Sequence, residues 1–349
     1  MLYRRTRQVV RLEKMASLAY IKFDDGLPKT LYYHHEAQGV SSMLLPIGRS
    51  IRFFVLFACV MFTVPAVAAE PGFELRDQPG QHLDVVYGGR TVARYMYAFD
   101  SERWDETYKP YLHVMNADGD QPITKGPGGQ FPHHRGIFIG YNRLGWDGSR
   151  YDLWHMRGTP QVHQEFTEKQ ADTELARFTS VVHWNTQEGQ TLLEEHRTFV
   201  FHATELPELV KVDVRSTLKA VAGDLRLDGD PEHAGVQYRP ANDLDRSQSR
   251  YLFPSEDANP KSDKDLAWAA LRYVLDGHTY TVVQMNAPAN PQGTVWSAYR
   301  DYGRFGAFPV ADIPAGETLT LDYRFVVMAG DLPERPQIQE RFDRYAAQP

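Results

Sequence analysis

Between residues 131 and 163, the runs Phe131-Pro132-His133-His134-Arg135-Gly136 and Trp154-His155, with His163 beyond them, gather four imidazoles, a guanidinium and several aromatic rings. Imidazole titrates near neutrality and is the commonest side-chain ligand for transition metals, so this density points to proton transfer or coordination. Asp152 precedes His155 by three residues. A carboxylate placed there can fix one tautomer of the ring and raise the basicity of its other nitrogen. The bland alternative is a turn aspartate bonded to its own backbone. Arg135 is either an oxygen-binding guanidinium or one half of a surface ion pair.

Two further stretches offer polar groups to the same chemistry. In Leu193-Glu194-Glu195-His196-Arg197-Thr198-Phe199-Val200-Phe201, strand alternation puts Glu195 and Arg197 on the face that carries Leu193, Phe199 and Phe201. A charge on a core face is costly unless paired, so these two either satisfy each other or open into a cleft between sheets. Glu194 and His196 then face solvent. In Asp228-Gly229-Asp230-Pro231-Glu232-His233-Ala234-Gly235-Val236-Gln237-Tyr238-Arg239, the same arithmetic aligns His233, Gln237 and Arg239, with Gly235 leaving backbone accessible between them. That face is either a polar floor for a ligand or a wet outer surface.

The elements that must position these groups are strands. In residues 208–215 the valines alternate with Lys211, Asp213 and Arg215, the pattern of a strand with one buried face. Residues 83–87 and 91–99 flank Gly88-Gly89, and residues 271–275 and 279–285 flank Asp276-Gly277, both tight-hairpin signals. Residues 318–328 form another long strand. Ile338, Phe342 and Tyr345 follow helical spacing after Pro333 and Pro336, which predicts one short C-terminal helix. Residues 100–107 and 242–265 read as long rim loops. Many strands with Gly and Pro turns and no alternating helices predict an all-β fold, a large antiparallel two-sheet β-sandwich with the mutarotase-like supersandwich as one variant.

Residues 1–69 read as a leader. From Met43, Arg49 and Arg52 precede an apolar run over residues 53–64, and Ala66-Val67-Ala68 supplies a small-residue cleavage pattern before Glu70. Residues 1–42 are then an upstream extension, 43–69 a signal peptide, and 70–349 a single β-sandwich domain that is periplasmic or secreted, with no membrane association after cleavage. The one cysteine, Cys59, falls in the leader, leaving no thiol for catalysis or coordination. The whole chain has a formal charge of −7. The leader holds nine Lys and Arg against four Asp and Glu, so the remainder carries 29 basic and 41 acidic residues. An acidic chain without a basic stripe argues against nucleic acid as a partner and leaves a small molecule or glycan.

Lys109-Pro110-Tyr111, Pro132-His133-His134-Arg135-Gly136, Asp152-Leu153-Trp154, Glu195-His196-Arg197, the run from His233 to Arg239, and Asn290-Pro291 together carry a resemblance. Over about residues 94–328 the chain resembles the bacterial PmoA-like proteins, a family of unknown function whose members often bear the label methane oxygenase PmoA. That family's pattern runs His-Pro-His-His where this chain has Phe131-Pro132-His133-His134. The resemblance implies the family and not methane chemistry, because the membrane methane monooxygenase subunit of that name is a bundle of apolar helices. The family's occurrence in bacteria rich in polysaccharide-degrading genes implies a carbohydrate context.

Three functions fit the residues. The first is an enzyme acting on a carbohydrate as an epimerase, lyase or hydrolase. Here His134 and Glu195 are acid and base, and His133, His155 and His233 support them. Arg135, Asp152, Trp154, Arg197, Gln237 and Arg239 bind substrate, and Trp146, Tyr151 and Trp154 stack on sugar rings. The second is a carbohydrate-binding module without turnover. The third is a mononuclear metalloenzyme built on histidines and a carboxylate. No motif calls for an organic cofactor, and a divalent metal belongs to the third reading alone.

Overall fold

The computed structural model describes residues 71–348, so the leader and upstream extension assigned to residues 1–69 lie outside the described residues. Two eight-stranded antiparallel sheets face one another, accompanied by a small four-stranded sheet. The first sheet runs, edge to edge, through Phe73–Gln78, His82–Tyr87, Arg90–Met96, Tyr111–Val114, Ile137–Tyr141, Ala234–Tyr238, Phe305–Phe308 and Val295–Ser297. The second runs Arg250–Leu252, Trp268–Leu275, His278–Asn286, Thr318–Ala329, Glu208–Ala220, Thr191–His202, Leu175–Asn185 and Gln161–Ala171. The β-sandwich predicted from the strand pattern is therefore the fold.

Alternation explains why the sheets stack. In Glu208–Ala220, Val210, Val212 and Val214 are buried while Arg215 is exposed, and the strand pairs along its length with Thr318–Ala329. Both predicted hairpins form, His82–Tyr87 with Arg90–Met96 and Trp268–Leu275 with His278–Asn286. Between the layers, Tyr95 packs on Phe178 and Phe199, and its hydroxyl donates to Ser180 Oγ at 3.0 Å. The hydroxyls of Tyr238 and Tyr273 meet at 2.8 Å, so polar side chains also tie one sheet to the other.

The C-terminal helix, Arg335–Ala346, covers the outer face of the second sheet. Ile338 joins Trp268, Val283, Met285 and Val326, and the Trp268 indole donates to Gln339 Oε1 at 2.9 Å. Among the described residues no helix is long and apolar enough to cross a membrane. Two regions predicted as loops carry short elements. Ser101–Arg103 and Trp104–Thr107 form a 3-10 turn and a single helical turn, and Arg250–Leu252 adds an edge strand. The first of these overhangs the cleft described next.

Candidate functional site

Three loops, one within the first sheet and two leaving strands of the small sheet, converge on one cleft. The first enters Ile137–Tyr141, where Phe131 adopts a left-handed backbone (φ 53°) and His134 N–H closes a turn on the Phe131 carbonyl at 2.9 Å. A non-glycine residue there costs roughly 1–2 kcal/mol, which the surrounding packing must offset. The turn sends His133 and His134 into a cleft.

The second loop is Asp152-Leu153-Trp154-His155. Asp152 Oδ1 accepts from the backbone N–H groups of Trp154 (3.1 Å) and His155 (2.9 Å), while its Oδ2 holds His155 Nδ1 at 2.7 Å. Asp152 thus both shapes the turn and orients the ring. The third loop repeats the device, because Asp230 Oδ1 takes Glu232 N–H at 2.9 Å and His233 Nδ1 at 2.7 Å, and Asn142 Nδ2 donates to Asp230 Oδ2 at 2.6 Å. With Nδ1–H engaged by a carboxylate, each ring turns its Nε2 lone pair inward.

His133, His155 and His233 each offer one ligand nitrogen, and the three lie within 4.8 Å of one another. His133 Nε2 is buried without a partner. Burial, aided by the fields of Lys109, His155 and His233, pushes its pKa down to about 2, so the ring is neutral at physiological pH and keeps a lone pair to donate. His134 lies behind it, only 1% exposed, among Phe131, Phe138, Trp154 and Tyr302. Burial and the nearby Arg304, His133, Arg239 and Lys109 hold its pKa well below the usual imidazole range.

The cleft encloses about 740 Å³ and is lined by Trp104, Tyr108, Phe131 and Tyr302 together with the four imidazoles, Asp105, Arg157, Glu232 and Arg300. That volume suits a small molecule or the end of a chain. Of the residues singled out from sequence, His133, His134, His155 and His233 line it, and Asp152 stands behind His155.

The rest are elsewhere. Glu195 and Arg197, cast as base and substrate ligand, are locked together between the sheets, where Glu195 Oε2 accepts from Arg197 Nη2 (2.7 Å) and the Trp184 indole (2.8 Å). Its Oε1 accepts from Arg197 Nε at 2.9 Å and Ser216 Oγ at 2.7 Å, so every lone pair directed inward is used. Neither lines the cleft, and Glu195 cannot stand opposite His134 as its base. Trp154 is fully buried beneath the floor. Arg135, Gln237 and Arg239 are buried too, donating mainly to neutral oxygens. The one-face alignment of His233, Gln237 and Arg239 fails because the strand begins at Ala234 and Gly235 is left-handed (φ 82°). A Cβ at 235 would collide with the Ala307 carbonyl, so this glycine serves strand contact and not ligand access. Trp146 and Tyr151 pack together on the small sheet, where Trp146 lines a separate depression, in place of the sugar-stacking role expected for them. His163 bonds Ser180 Oγ at 2.7 Å, apart from the cluster.

Sequence reasoning missed Asp230 as an orienting carboxylate, and Trp104, Tyr108, Glu232, Arg300 and Tyr302 as lining. Asp230 was legible, because Asp-x-x-His occurs at 152–155 and again at 230–233. The family's conserved pattern fits residues 82–343, most of the chain and all three of these loops. The chain belongs to DUF6807, a family of unknown function. No curated protein matches this DUF6807 member in sequence at a significant level. Among solved structures it is similar to a heparan sulfate lyase mutant from Pedobacter heparinus, at 11% identity and a TM-score of 0.38, over 75% of this chain and 38% of the lyase. It is also similar to a Klebsiella pneumoniae protein assigned as an aldose 1-epimerase, at 11% identity and a TM-score of 0.36, over 77% of this chain and 82% of the other. The DUF6807 chain spans well under half the length of the lyase.

Proposed function

We propose that this protein is a metal-dependent enzyme in which His133, His155 and His233 hold one divalent transition-metal ion and the cleft presents a carbohydrate or similar oxygen-rich small molecule to it. The observation that carries this reading is the convergence of three imidazoles, two of them fixed through Nδ1 by Asp152 and Asp230. Carboxylate-backed histidines leaving open coordination positions are the arrangement of catalytic zinc-type sites. Such an ion, when bound, polarises a substrate oxygen or lowers the pKa of water.

The chain's own residues supply the rest. Asp152 and Asp230 hold the rings in the ligating tautomer. Trp104, Tyr108, Phe131 and Tyr302 offer apolar faces against which a ring can lie. His134, kept neutral, offers a ring N–H to negative charge developing on substrate. The alternative pairing of His134 with Glu195 as acid and base loses its support, because Glu195 is bonded into the core. We read the protein as exported, periplasmic or secreted, in keeping with the leader and the resemblance to the PmoA-like proteins.

Elemental analysis of the purified protein tests the reading. About one ion per chain is expected, retained through gel filtration and lost in His133→Ala, His155→Ala and His233→Ala, with turnover on a glycan panel abolished by chelator. Equal metal content in the wild type and the triple variant overturns it.

A further inference from the structure

The charges around the cleft do not balance. Behind its lining lie three guanidinium groups, Arg135, Arg239 and Arg304, and the amine of Lys109, whose pKa burial and the field of Arg135 hold well below the usual lysine range, none of the four more than 2% exposed. The Arg135 guanidinium is 4.8 Å from the Tyr108 ring and that of Arg239 is 5.1 Å from Tyr302, both cleft residues. Lys109 Nζ lies 4.6 Å from the Phe138 ring, and Arg304 lies 5.9 Å from Trp154, beneath His134.

Their hydrogen bonds go to neutral oxygens. Lys109 donates to the Trp154 carbonyl (2.8 Å), and Arg135 to the carbonyls of Pro132, His134 and Asp105. Arg239 donates to the carbonyls of Pro240 and Tyr302, and Arg304 to Gln237 Oε1 and Ser297 Oγ. Among the described residues, Glu232 is the only carboxylate within 4 Å of any of the four. It sits 3.7 Å from Arg304 and is already engaged by Arg300 and Tyr299. Elsewhere the chain treats buried guanidinium groups differently, pairing Arg197 with Glu195 and Arg324 with Asp213.

Donors are also left idle here. Neither ring nitrogen of the buried His134 has a partner, nor do the Trp154 indole and the Nε atoms of Arg135, Arg239 and Arg304. At the rim, Arg157 is exposed and makes no ion pair among the described residues, and Arg300 stands across the opening. The opposing charges of the lining are Asp105 and Glu232, the latter paired with Arg300. Asp152 and Asp230 are occupied by His155 and His233. Uncompensated buried cations are costly, and a negative ligand group is what relieves them.

We propose that the substrate of this cleft carries an oxyanion, a carboxylate or sulfate on a small polar molecule such as an acidic sugar, which answers the field of the cationic floor from the His134 end of the cleft. This rests on the reading of the cleft as the substrate site, and it does not need the metal. It also reconciles an acidic chain with an anionic ligand, since the positive charge is concentrated beneath one opening.

Titrations of the purified protein with glucuronate, glucose 6-sulfate, methyl glucuronate ester and glucose, followed by ligand-observed NMR with metal content measured in parallel, test it. At least one acidic sugar is expected to bind about tenfold tighter than the neutral ones, more weakly as salt rises from about 0.01 to 1 M. Which acidic sugar binds distinguishes carboxylate from sulfate. Arg157→Glu, an exposed change that leaves the core alone, is expected to weaken that binding about fivefold with unaltered metal content, and Arg157→Lys to restore it. Neutral sugars binding as well as acidic ones, or no acidic sugar binding in the millimolar range, overturns the proposal even if the triad holds its ion. Acidic binding by a protein without metal leaves it standing and removes the metal reading alone.

Discussion

Glu195→Ala separates a structural carboxylate from a catalytic one. The change removes the acceptor of four hydrogen bonds, two from Arg197 and one each from Trp184 and Ser216. Arg197, whose side chain is 3% exposed, would keep only the Pro110 carbonyl and Gln161 Oε1, both at 3.1 Å. Leaving one member of a buried pair unmatched costs about 3–5 kcal/mol. For a domain of this size each kcal/mol lowers Tm by roughly 2–4 °C, so a fall of about 6–20 °C is expected by calorimetry. Combining Glu195→Leu with Arg197→Met removes both charges and should recover most of that loss, as a positive coupling in a double-mutant cycle. A Tm unchanged within about 2 °C, with turnover abolished, would refute the assignment and return Glu195 to the chemistry.

Asp152→Asn keeps the backbone turn but withdraws the negative charge from His155 Nδ1, and metal affinity should fall about 10–100-fold with little change in Tm. Unaltered affinity in a competition assay would show that the Asp152 contact merely shapes the loop. Acid sensitivity provides the second check, through His113, whose ring touches Thr124 Oγ1 at 3.0 Å and whose pKa is pushed down to about 3 by burial and by the fields of Arg94 and Arg135. The unfolded chain binds that proton near pH 6.5 and the folded chain refuses it until about pH 3. Stability is therefore intact above pH 6.5 and declines as pH falls toward 3, by up to about 1.4 kcal/mol per pH unit. Urea midpoints at two pH values should show a smaller acid loss in His113→Gln than in the wild type, and equal losses would contradict the shift.

The predicted hairpins at Gly88-Gly89 and Asp276-Gly277, the alternating strand at 208–215 and the terminal helix were legible because each depends on neighbours a few residues away. The same locality made part of the site legible. Asp152 reaches His155, and Asp230 reaches His233, within one turn of chain, so the sequence alone determined which imidazoles would be held and by what.

Tertiary structure decided where those rings meet and which charges accompany them. Glu195 and Arg197 have the residue types of a catalytic pair, and alternation placed them on an inward face, but an inward face can look at core or at cleft. Only the partner sheet determines which. The cleft's aromatic lining and the buried guanidinium groups behind it come from segments as far apart as Trp104 and Arg304, joined when Ile137–Tyr141, Ala234–Tyr238 and Phe305–Phe308 pair side by side. One sequence specifies short-range geometry directly, whereas the surplus of positive charge beneath the histidines exists only once distant strands share a sheet.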